Sequence, residues 1–243
     1  MIILKILGFI VALIILYVLF LAACSLFVNP NREYEKHSSF YRFLLNSATS
    51  IAIPIMRIRI HTTGIDKLPQ DTKKILFVSN HRSNYDPIVT WHVLRKWKPA
   101  FVSKASNFRI PIFGRIIRKC CFLAIDRENP RNAMKTINKA AQLLRNGEVS
   151  VGIYPEGTRS KTGELLPFHN GVFKIAQKAE APIVVFSISG TEKIFRNYPF
   201  HHTDVNLDVL EVIPAETVMR SKTDDIGEYV HALINSHQSQ KEE

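Results

Sequence analysis

Residues 75–87 read ILFVSNHRSNYDP, an apolar run followed by a polar loop and a proline. The apolar run predicts a buried strand, and Pro87 favours the first turn of a helix. His81 and Asp86 therefore lie between a strand and a helix, where an imidazole can accept a proton near neutral pH. Five residues separate the two, whereas partners on one helix face are three or four residues apart. They can meet only if the intervening loop folds back.

A second interpretation of the same residues is purely structural. Asp86 directly precedes Pro87 and could cap the helix that the proline begins. His81 would then be an ordinary polar loop residue, and nine histidines in 243 residues make such a pair common by chance. The spacing alone favours this structural interpretation, so the catalytic one depends on the rest of the chain.

Beyond this loop, apolar runs alternate with helical patterns. A helix is predicted over 131–146, where apolar residues recur at helical spacing between Pro130 and Gly147, and a last helix over about 224–237. Strands are predicted at Ile75–Ser79, Ala100–Ser103, Cys121–Ile125, Val149–Tyr154, Ile183–Ser189 and Val205–Ile213. This alternation predicts an α/β fold with a largely parallel central sheet flanked by helices.

The amino terminus carries a long apolar segment. Residues 6–28 include no charged side chain and are numerous enough to cross the hydrocarbon layer of a membrane as a helix. A cleavable signal peptide is the competing interpretation, although its apolar core is usually shorter, about 7–15 residues. A second apolar segment, 40–60, contains Arg42, Arg57 and Arg59 and predicts an amphipathic helix, either in the lipid headgroup layer or packed on the domain. We therefore divide the chain into membrane-anchoring helices over 1–62 and an α/β domain over 63–243.

The distribution of charge indicates which kinds of molecule the protein binds. A hydrophobic content of 46% excludes a disordered protein, and a net charge of +11 indicates an anionic partner. No acidic residue lies between Asp86 and Asp126, where basic residues alternate with large apolar ones. Single-stranded nucleic acid and anionic lipid would both suit such a surface, and the apolar amino terminus favours lipid over nucleic acid. The three cysteines provide no disulfide framework, and no histidine or cysteine cluster has zinc spacing.

A second polar loop follows the predicted strand Val149–Tyr154. Residues 154–160 read YPEGTRS, so a carboxylate, a hydroxyl and a guanidinium follow a strand at the end where α/β folds place their sites. An arginine in such a loop is suited to bidentate recognition of phosphate. The structural alternative is an ordinary ion pair between Glu156 and Arg159 across the turn.

Taken together, four motifs resemble the 1-acylglycerol-3-phosphate acyltransferase family of membrane enzymes, and the apolar amino terminus matches its bacterial type. They are HRSNYDP at 81–87, AIDR at 124–127, YPEGTRS at 154–160 and APIV at 181–184. The family's second motif starts three residues earlier, with Gly at the position of Cys121, and it usually has Phe at the position of Ala124. The family's fourth motif extends one residue further, to a second proline, where this chain has Val185. The resemblance covers roughly residues 70–190.

The resemblance implies a membrane enzyme that acylates the sn-2 hydroxyl of lysophosphatidic acid and releases phosphatidic acid. The basic residues that follow the apolar amino terminus predict that the domain lies at the cytoplasmic side of the cell membrane. His81 is expected to deprotonate the hydroxyl and Asp86 to orient the imidazole. The acceptor would be bound by Lys104, Arg127, Glu156, Gly157, Thr158 and Arg159. The acyl donor would be acyl-CoA or acyl carrier protein, with no metal and no further cofactor.

Other functions stay open at this point. The acceptor could be glycerol 3-phosphate or another lysophospholipid, and Ser83 is a conceivable covalent nucleophile. A non-enzymatic membrane lipid-binding protein is the least favoured alternative, because the motif residues that would carry the chemistry are all present.

Overall fold

The computed structural model describes residues 1–70, 72, 74–160 and 162–242. Seven strands form one sheet in the order β1-β7-β6-β2-β5-β3-β4. They are β1 (Ile58–Thr63), β2 (Leu76–Ser79), β3 (Pro99–Lys104), β4 (Leu123–Ile125), β5 (Ser150–Ile153), β6 (Ile183–Ser189) and β7 (Thr203–Ile213). Among these described strands, five neighbouring pairs are parallel and only β6–β7 is antiparallel, so the prediction of a largely parallel α/β sheet is confirmed.

The helices cover both faces of the sheet. They are α1 (Ile2–Leu26), α2 (Ser39–Ile55), α3 (Asp86–Leu94), α4 (Phe113–Lys119), α5 (Pro130–Arg145), α6 (Lys174–Ala179), α7 (Ile194–Asn197), α8 (Ala215–Arg220) and α9 (Thr223–Glu242). Helix α5 begins where its sequence predicts, because the Asn129 side chain accepts hydrogen bonds from the N–H groups of Arg131 and Asn132. Its apolar stripe, which includes Ile137 and Leu144, is buried against the sheet.

The predicted helix over 40–60 is wrong at its carboxyl end. Helix α2 stops at Ile55, and Arg57 has a φ of +56°, a left-handed conformation that a helix cannot include. From Ile58 the chain is strand β1, which pairs in parallel with β7. Apolar residues in this stretch fit either period, and pairing with a strand 145 residues later decides between them. The boundary that we place between residues 62 and 63 falls at the end of β1, and the division into two domains stays a prediction.

Helix α2 packs on the domain and also keeps an exposed apolar surface. One face is buried on the domain, and its Arg42 donates to the carbonyls of Pro99 and Cys120 while lying over the Trp91 ring. Phe40, Phe43, Ile51 and Ile55 of the same helix are exposed. An apolar surface on an otherwise packed helix is suited to contact with lipid.

Helix α1 is attached to the domain only through its last turns. Residues 1–16 are all exposed, whereas Leu21 and Ser25 are buried. Tyr17 shares a 2.6 Å hydrogen bond with Ser47 of α2, and the Cys24 carbonyl accepts one from Tyr41. The helix has 25 residues, and an 18-residue stretch of it has a mean hydropathy of 3.0, so it is long and apolar enough to cross a membrane and is compatible with membrane association.

The departures from the family pattern lie in the core. Cys121 is fully buried with a φ of +65°, a conformation that glycine adopts without cost, which accounts for the glycine expected there. Burial raises the pKa of the Cys120 and Cys121 thiols to about 12, so both are protonated and unreactive at neutral pH. Ala124 packs against the main buried cluster.

Candidate active site

The loop after β2 is anchored by a residue that sequence reasoning missed. Asn80 is 1% exposed, and its side-chain amide both donates to the carbonyl and accepts from the N–H of Ile188 in β6. These two bonds continue the pairing of β2 with β6 after the backbone of β2 has left the sheet. The anchor sets the point from which His81 projects. An asparagine at the end of a buried strand was the available signal.

The loop folds back so that His81 and Asp86 meet. The His81 Nδ1 atom lies 2.7 Å from Oδ2 of Asp86, and the same oxygen accepts the N–H groups of Arg82 and Ser83. Asp86 makes no capping bond to α3, which is preceded by Tyr85, so the interpretation of Asp86 as a helix cap is wrong. The two residues meet across a five-residue spacing because the carboxylate accepts hydrogen bonds from the backbone of its own loop as well as from the imidazole.

A third element completes the environment of the carboxylate. Thr191, just beyond the end of β6, donates its hydroxyl to Oδ1 of Asp86. Asp86 is fully buried and accepts four hydrogen bonds, from His81, Thr191 and two backbone N–H groups, which offset the loss of hydration of its charge. The carboxylate therefore receives the Nδ1–H of His81 and leaves Nε2 with its lone pair, ready to accept a proton. Nothing in the local sequence around Thr191 indicates this contact.

Glu156 positions the histidine loop from the neighbouring strand. It is 3% exposed, and its two oxygens accept the N–H of His81 at 2.5 Å and that of Leu166 at 3.0 Å. The Ser160 N–H also donates to the His81 carbonyl, which joins the two motif loops a second time. Burial raises the pKa of Glu156, although the two backbone N–H groups oppose that shift. Glu156 thus arranges the loops, and its direct contact with a substrate stays a prediction.

The imidazole of His81 lies against an aromatic stack. The Tyr154 ring is nearly parallel to it at 4.4 Å between centroids, and Phe101 stacks on the far side of Tyr154 at 6.0 Å. The Tyr154 hydroxyl lies 3.3 Å from that of Thr90 on α3, the helix that begins at Asp86. Gly152 makes room for this stack, since a Cβ at that position would overlap the Phe101 ring. The plane of the imidazole is therefore set by packing as well as by Asp86.

A cavity of about 310 Å³ opens beside this stack. Its walls are mostly apolar, and Tyr154 separates it from His81. Two exposed polar side chains, Arg127 and His169, line it together with Gly157. A cavity of this size with an apolar lining and few polar groups is typical of a small-molecule site.

The other predicted site residues lie along one edge of the sheet. Strands β2, β5, β3 and β4 are parallel neighbours, so their carboxyl ends carry His81, the 154–160 loop, Lys104 and Arg127 in that order. With strands about 4.8 Å apart, this row is about 14 Å long at the backbone. Lys104, Arg127, Thr158 and Arg159 are exposed. The edge thus presents an imidazole at one end and three exposed cationic side chains towards the other.

The geometry of the second loop bears on two expectations. Glu156 and Arg159 form no ion pair, because both oxygens of Glu156 contact backbone N–H groups. The Gly157 N–H donates to the Tyr154 carbonyl and the φ of Gly157 is +67°, while contact of Gly157 with a substrate stays a prediction. Within the described residues, no group of three histidine, cysteine, aspartate or glutamate side chains is placed to hold a metal ion. The chemistry that the described side chains support is proton transfer at His81, beside an edge with three exposed cationic side chains.

Known proteins with similar sequences carry one recurrent name. The 1-acyl-sn-glycerol-3-phosphate acyltransferase of Haemophilus influenzae is 27% identical over 180 residues, which cover 73% of this chain and 75% of that protein. The Escherichia coli protein of the same name is 30% identical over 153 residues, which cover 63% and 61%. The chloroplastic BAT2 of Brassica napus is 34% identical over 156 residues, 64% of this chain but only 44% of that protein. The chain therefore spans less than half the length of this chloroplast relative.

The fold is also found in a solved structure. The crystal structure of the 1-acyl-sn-glycerophosphate acyltransferase PlsC from Thermotoga maritima matches with a TM-score of 0.67 and 22% sequence identity. The match covers 83% of this chain and 79% of that one, and at this identity it establishes the fold alone. The Acyltransferase family model matches residues 59–189, a region that contains both motif loops. Because that region is more than half of its 243 residues, the chain belongs to the Acyltransferase family.

Proposed function

We propose that this protein transfers a fatty acyl group from an acyl thioester to the sn-2 hydroxyl of 1-acylglycerol 3-phosphate, producing phosphatidic acid. The observation that carries the proposal is the 2.7 Å contact between His81 and a fully buried Asp86. This pair lies at the carboxyl edge of the parallel strands, in a chain whose curated relatives are named for that acceptor. A thioester is already activated, so a positioned base and an anion site supply what the reaction needs.

The reaction takes place in two steps at one imidazole. His81 Nε2 removes the proton of the sn-2 hydroxyl as its oxygen attacks the thioester carbonyl carbon. The tetrahedral intermediate then collapses, the carbon–sulfur bond breaks, and the departing thiolate takes the proton from the imidazolium. Asp86 stabilises that imidazolium through Nδ1, and its three other donors hold the carboxylate in place.

The acceptor phosphate would bind along the basic part of the edge. Arg127 lines the cavity next to Tyr154. Between Arg127 and His81 along the edge, Lys104 ends β3 and Arg159 lies in the loop after β5. All three side chains are exposed and none forms an ion pair with a described residue. Exposed cationic groups at a cavity mouth are suited to a phosphate, and Arg offers it two parallel hydrogen bonds.

Arg127→Ala and Arg159→Ala are expected to raise the KM for lysophosphatidic acid by about 10- to 150-fold, the value of a charge-assisted hydrogen bond. The KM for the acyl donor should change much less, and the stability should be nearly unchanged because both side chains are exposed. Steady-state kinetics with each substrate varied in turn measures this. Arg220→Ala, an exposed arginine on α8, is the matched control. An unchanged acceptor KM in both variants would show that the phosphate binds elsewhere.

Attachment to the membrane would hold the active site next to its lipid substrate. We propose that α1 enters the cell membrane from the cytoplasmic side, because Lys5 is the only charge before residue 28 and basic residues accumulate after it. Acyl-CoA and acyl carrier protein are both acidic, and the basic residues between Asp86 and Asp126 would attract either. The same basic residues would contact anionic headgroups.

Replacing residues 1–15 by a single methionine should leave a folded protein, because these residues are exposed and the packed turns of α1 remain. Activity on lysophosphatidic acid in vesicles should fall, while activity on the same substrate in detergent micelles should persist. Vesicle flotation together with both assays measures this. Undiminished activity on vesicles would show that α1 does not position the site.

The direct test of the proposal uses the purified full chain. It is incubated with acyl-CoA or acyl carrier protein and with lysophosphatidic acid, glycerol 3-phosphate or lysophosphatidylcholine, and the lipid products are identified by mass spectrometry. The expected result is phosphatidic acid when lysophosphatidic acid is the acceptor and no product with the other two acceptors. A product only from another acceptor would change the assigned substrate, and no product from any acceptor would refute the proposal.

A further inference from the structure

We propose that residues 191–203, here called the aromatic segment, form a second membrane contact that inserts into the headgroup layer of a phospholipid bilayer beside the catalytic pair. The inference rests on the proposed function for its purpose, but its structural part can be tested without any catalytic activity. The segment connects β6 to β7 and includes the short helix α7. None of the four sequence motifs extends into it.

The segment exposes large aromatic side chains. Phe195 is 82% exposed, Phe200 is 81% exposed and Tyr198 is 45% exposed. Most other strongly exposed large apolar residues lie on α1 and α2, the elements already suited to lipid. Isolated exposed apolar residues are ordinary on protein surfaces, but three aromatic side chains within six residues indicate an interaction surface.

The charges around these rings suit a lipid surface. Lys193 and Arg196 are exposed on either side of Phe195. The acidic residues nearby are engaged, because Glu192 lies 3.9 Å from Arg82 and Asp204 lies 2.8 Å from His61. Aromatic rings flanked by exposed basic groups complement the polar and anionic surface of a bilayer.

The aromatic segment is anchored to the domain by a buried side chain and by hydrogen bonds. Ile194 is fully buried in a cluster with Ile53 of α2 and Ile58 of β1. The Thr203 N–H donates to the Arg57 carbonyl at 3.0 Å, and the Asn197 side chain donates to Thr203. The aromatic side chains therefore project from an ordered base.

The hydrophobic cluster around Ile194 also connects the segment to the apolar surface of α2. Ile51 and Ile55 are one turn apart on the exposed side of that helix, while Ile53 between them packs with Ile194. Phe195, next to Ile194, therefore leaves the molecule close to the end of this apolar surface. Continuity with the proposed anchoring helices favours lipid over a protein partner as the occupant.

The position of the segment also connects it to catalysis. Thr191 begins it and donates to Asp86, so the aromatic side chains are separated from the catalytic pair by a few residues of ordered chain. A site held against the membrane on this side and by α1 on the other would receive a lysolipid without drawing it out of the bilayer.

The test introduces tryptophan as a depth probe. The full chain with Phe195→Trp is reconstituted in vesicles of phosphatidylcholine and phosphatidylglycerol, with and without brominated lipid, and fluorescence quenching is measured. The native Trp91 and Trp97 are 2% and 5% exposed and give a constant background that is subtracted with the wild-type signal. Tyr229→Trp is the control, because Tyr229 is 50% exposed on α9, a helix whose buried residues belong to a different hydrophobic cluster from that of Ile194.

Strong quenching in the Phe195→Trp variant and weak quenching in the Tyr229→Trp variant is the expected result. Equal, weak quenching in both would overturn the proposal, since the segment would then face water. A blue-shifted but unquenched signal from Phe195→Trp in a dimeric protein would overturn it in favour of a second copy as the occupant. Because quenching requires no turnover, a chain without acyltransferase activity could still pass this test, so failure of the proposed function remains distinguishable.

A second variant tests the purpose of the contact. Phe195→Ser combined with Phe200→Ser removes two exposed side chains and is expected to lower the rate on vesicle substrate by about tenfold, with little change in detergent micelles. An equal loss in both assays, or no loss in either, would show that the segment does not position the site at the membrane.

Discussion

His81→Ala is expected to lower the turnover number for acyl transfer by about 10²- to 10⁴-fold, which is the usual contribution of a positioned general base. The KM values for both substrates should change little, because the imidazole accepts the proton in the transition state and is not needed for binding either substrate in the ground state. Initial rates at saturating donor and acceptor measure the effect. Retention of more than a few per cent of wild-type turnover would contradict the assignment of His81 as the base.

The stability of this variant separates a chemical loss from a folding defect. His81 stacks on Tyr154 and donates to Asp86, so its removal should lower the free energy of unfolding by about 1–2 kcal/mol. Three donors to Asp86 remain, and the fold should persist. His61→Ala is the control, because His61 also contacts an aspartate but is exposed on β1. That variant should retain full activity.

Asp86→Asn is expected to lower turnover by about 10²- to 10⁴-fold, because a neutral amide stabilises the imidazolium less than a carboxylate does. Its four hydrogen bonds become neutral or are lost, so the free energy of unfolding should also fall by about 1–3 kcal/mol. Thermal unfolding and initial rates measure the two effects separately.

The double variant shows whether the two residues act as one unit. His81→Ala with Asp86→Asn should be no slower than His81→Ala alone, because an orienting carboxylate has no role once the imidazole is absent. Thr191→Val removes one of the four donors and should cause a smaller loss of turnover than Asp86→Asn. Additive losses in the double variant would show that Asp86 acts independently of His81.

Local sequence determined the elements that form from neighbouring residues. Strand β6 was predicted with its observed bounds, and helix α5 was predicted to within a residue at each end, since a cap, a proline and apolar periodicity all lie inside the segment. Strand β1 was missed because its partner β7 lies far along the chain and its apolar residues do not specify a period by themselves.

The order of the motifs and the alternation of apolar and helical patterns were enough to predict the class of fold, the family resemblance and the two loops that form the site. The carboxyl ends of parallel strands meet at one edge, so strands followed by polar loops imply a shared site before any contact is known. How those loops are held could not be predicted, because Asn80, Thr191 and the backbone bonds of Glu156 connect segments that are distant in the chain. Hydrogen bonds across such distances depend on the packing of the whole sheet, and the sequence of one segment does not specify its distant partner.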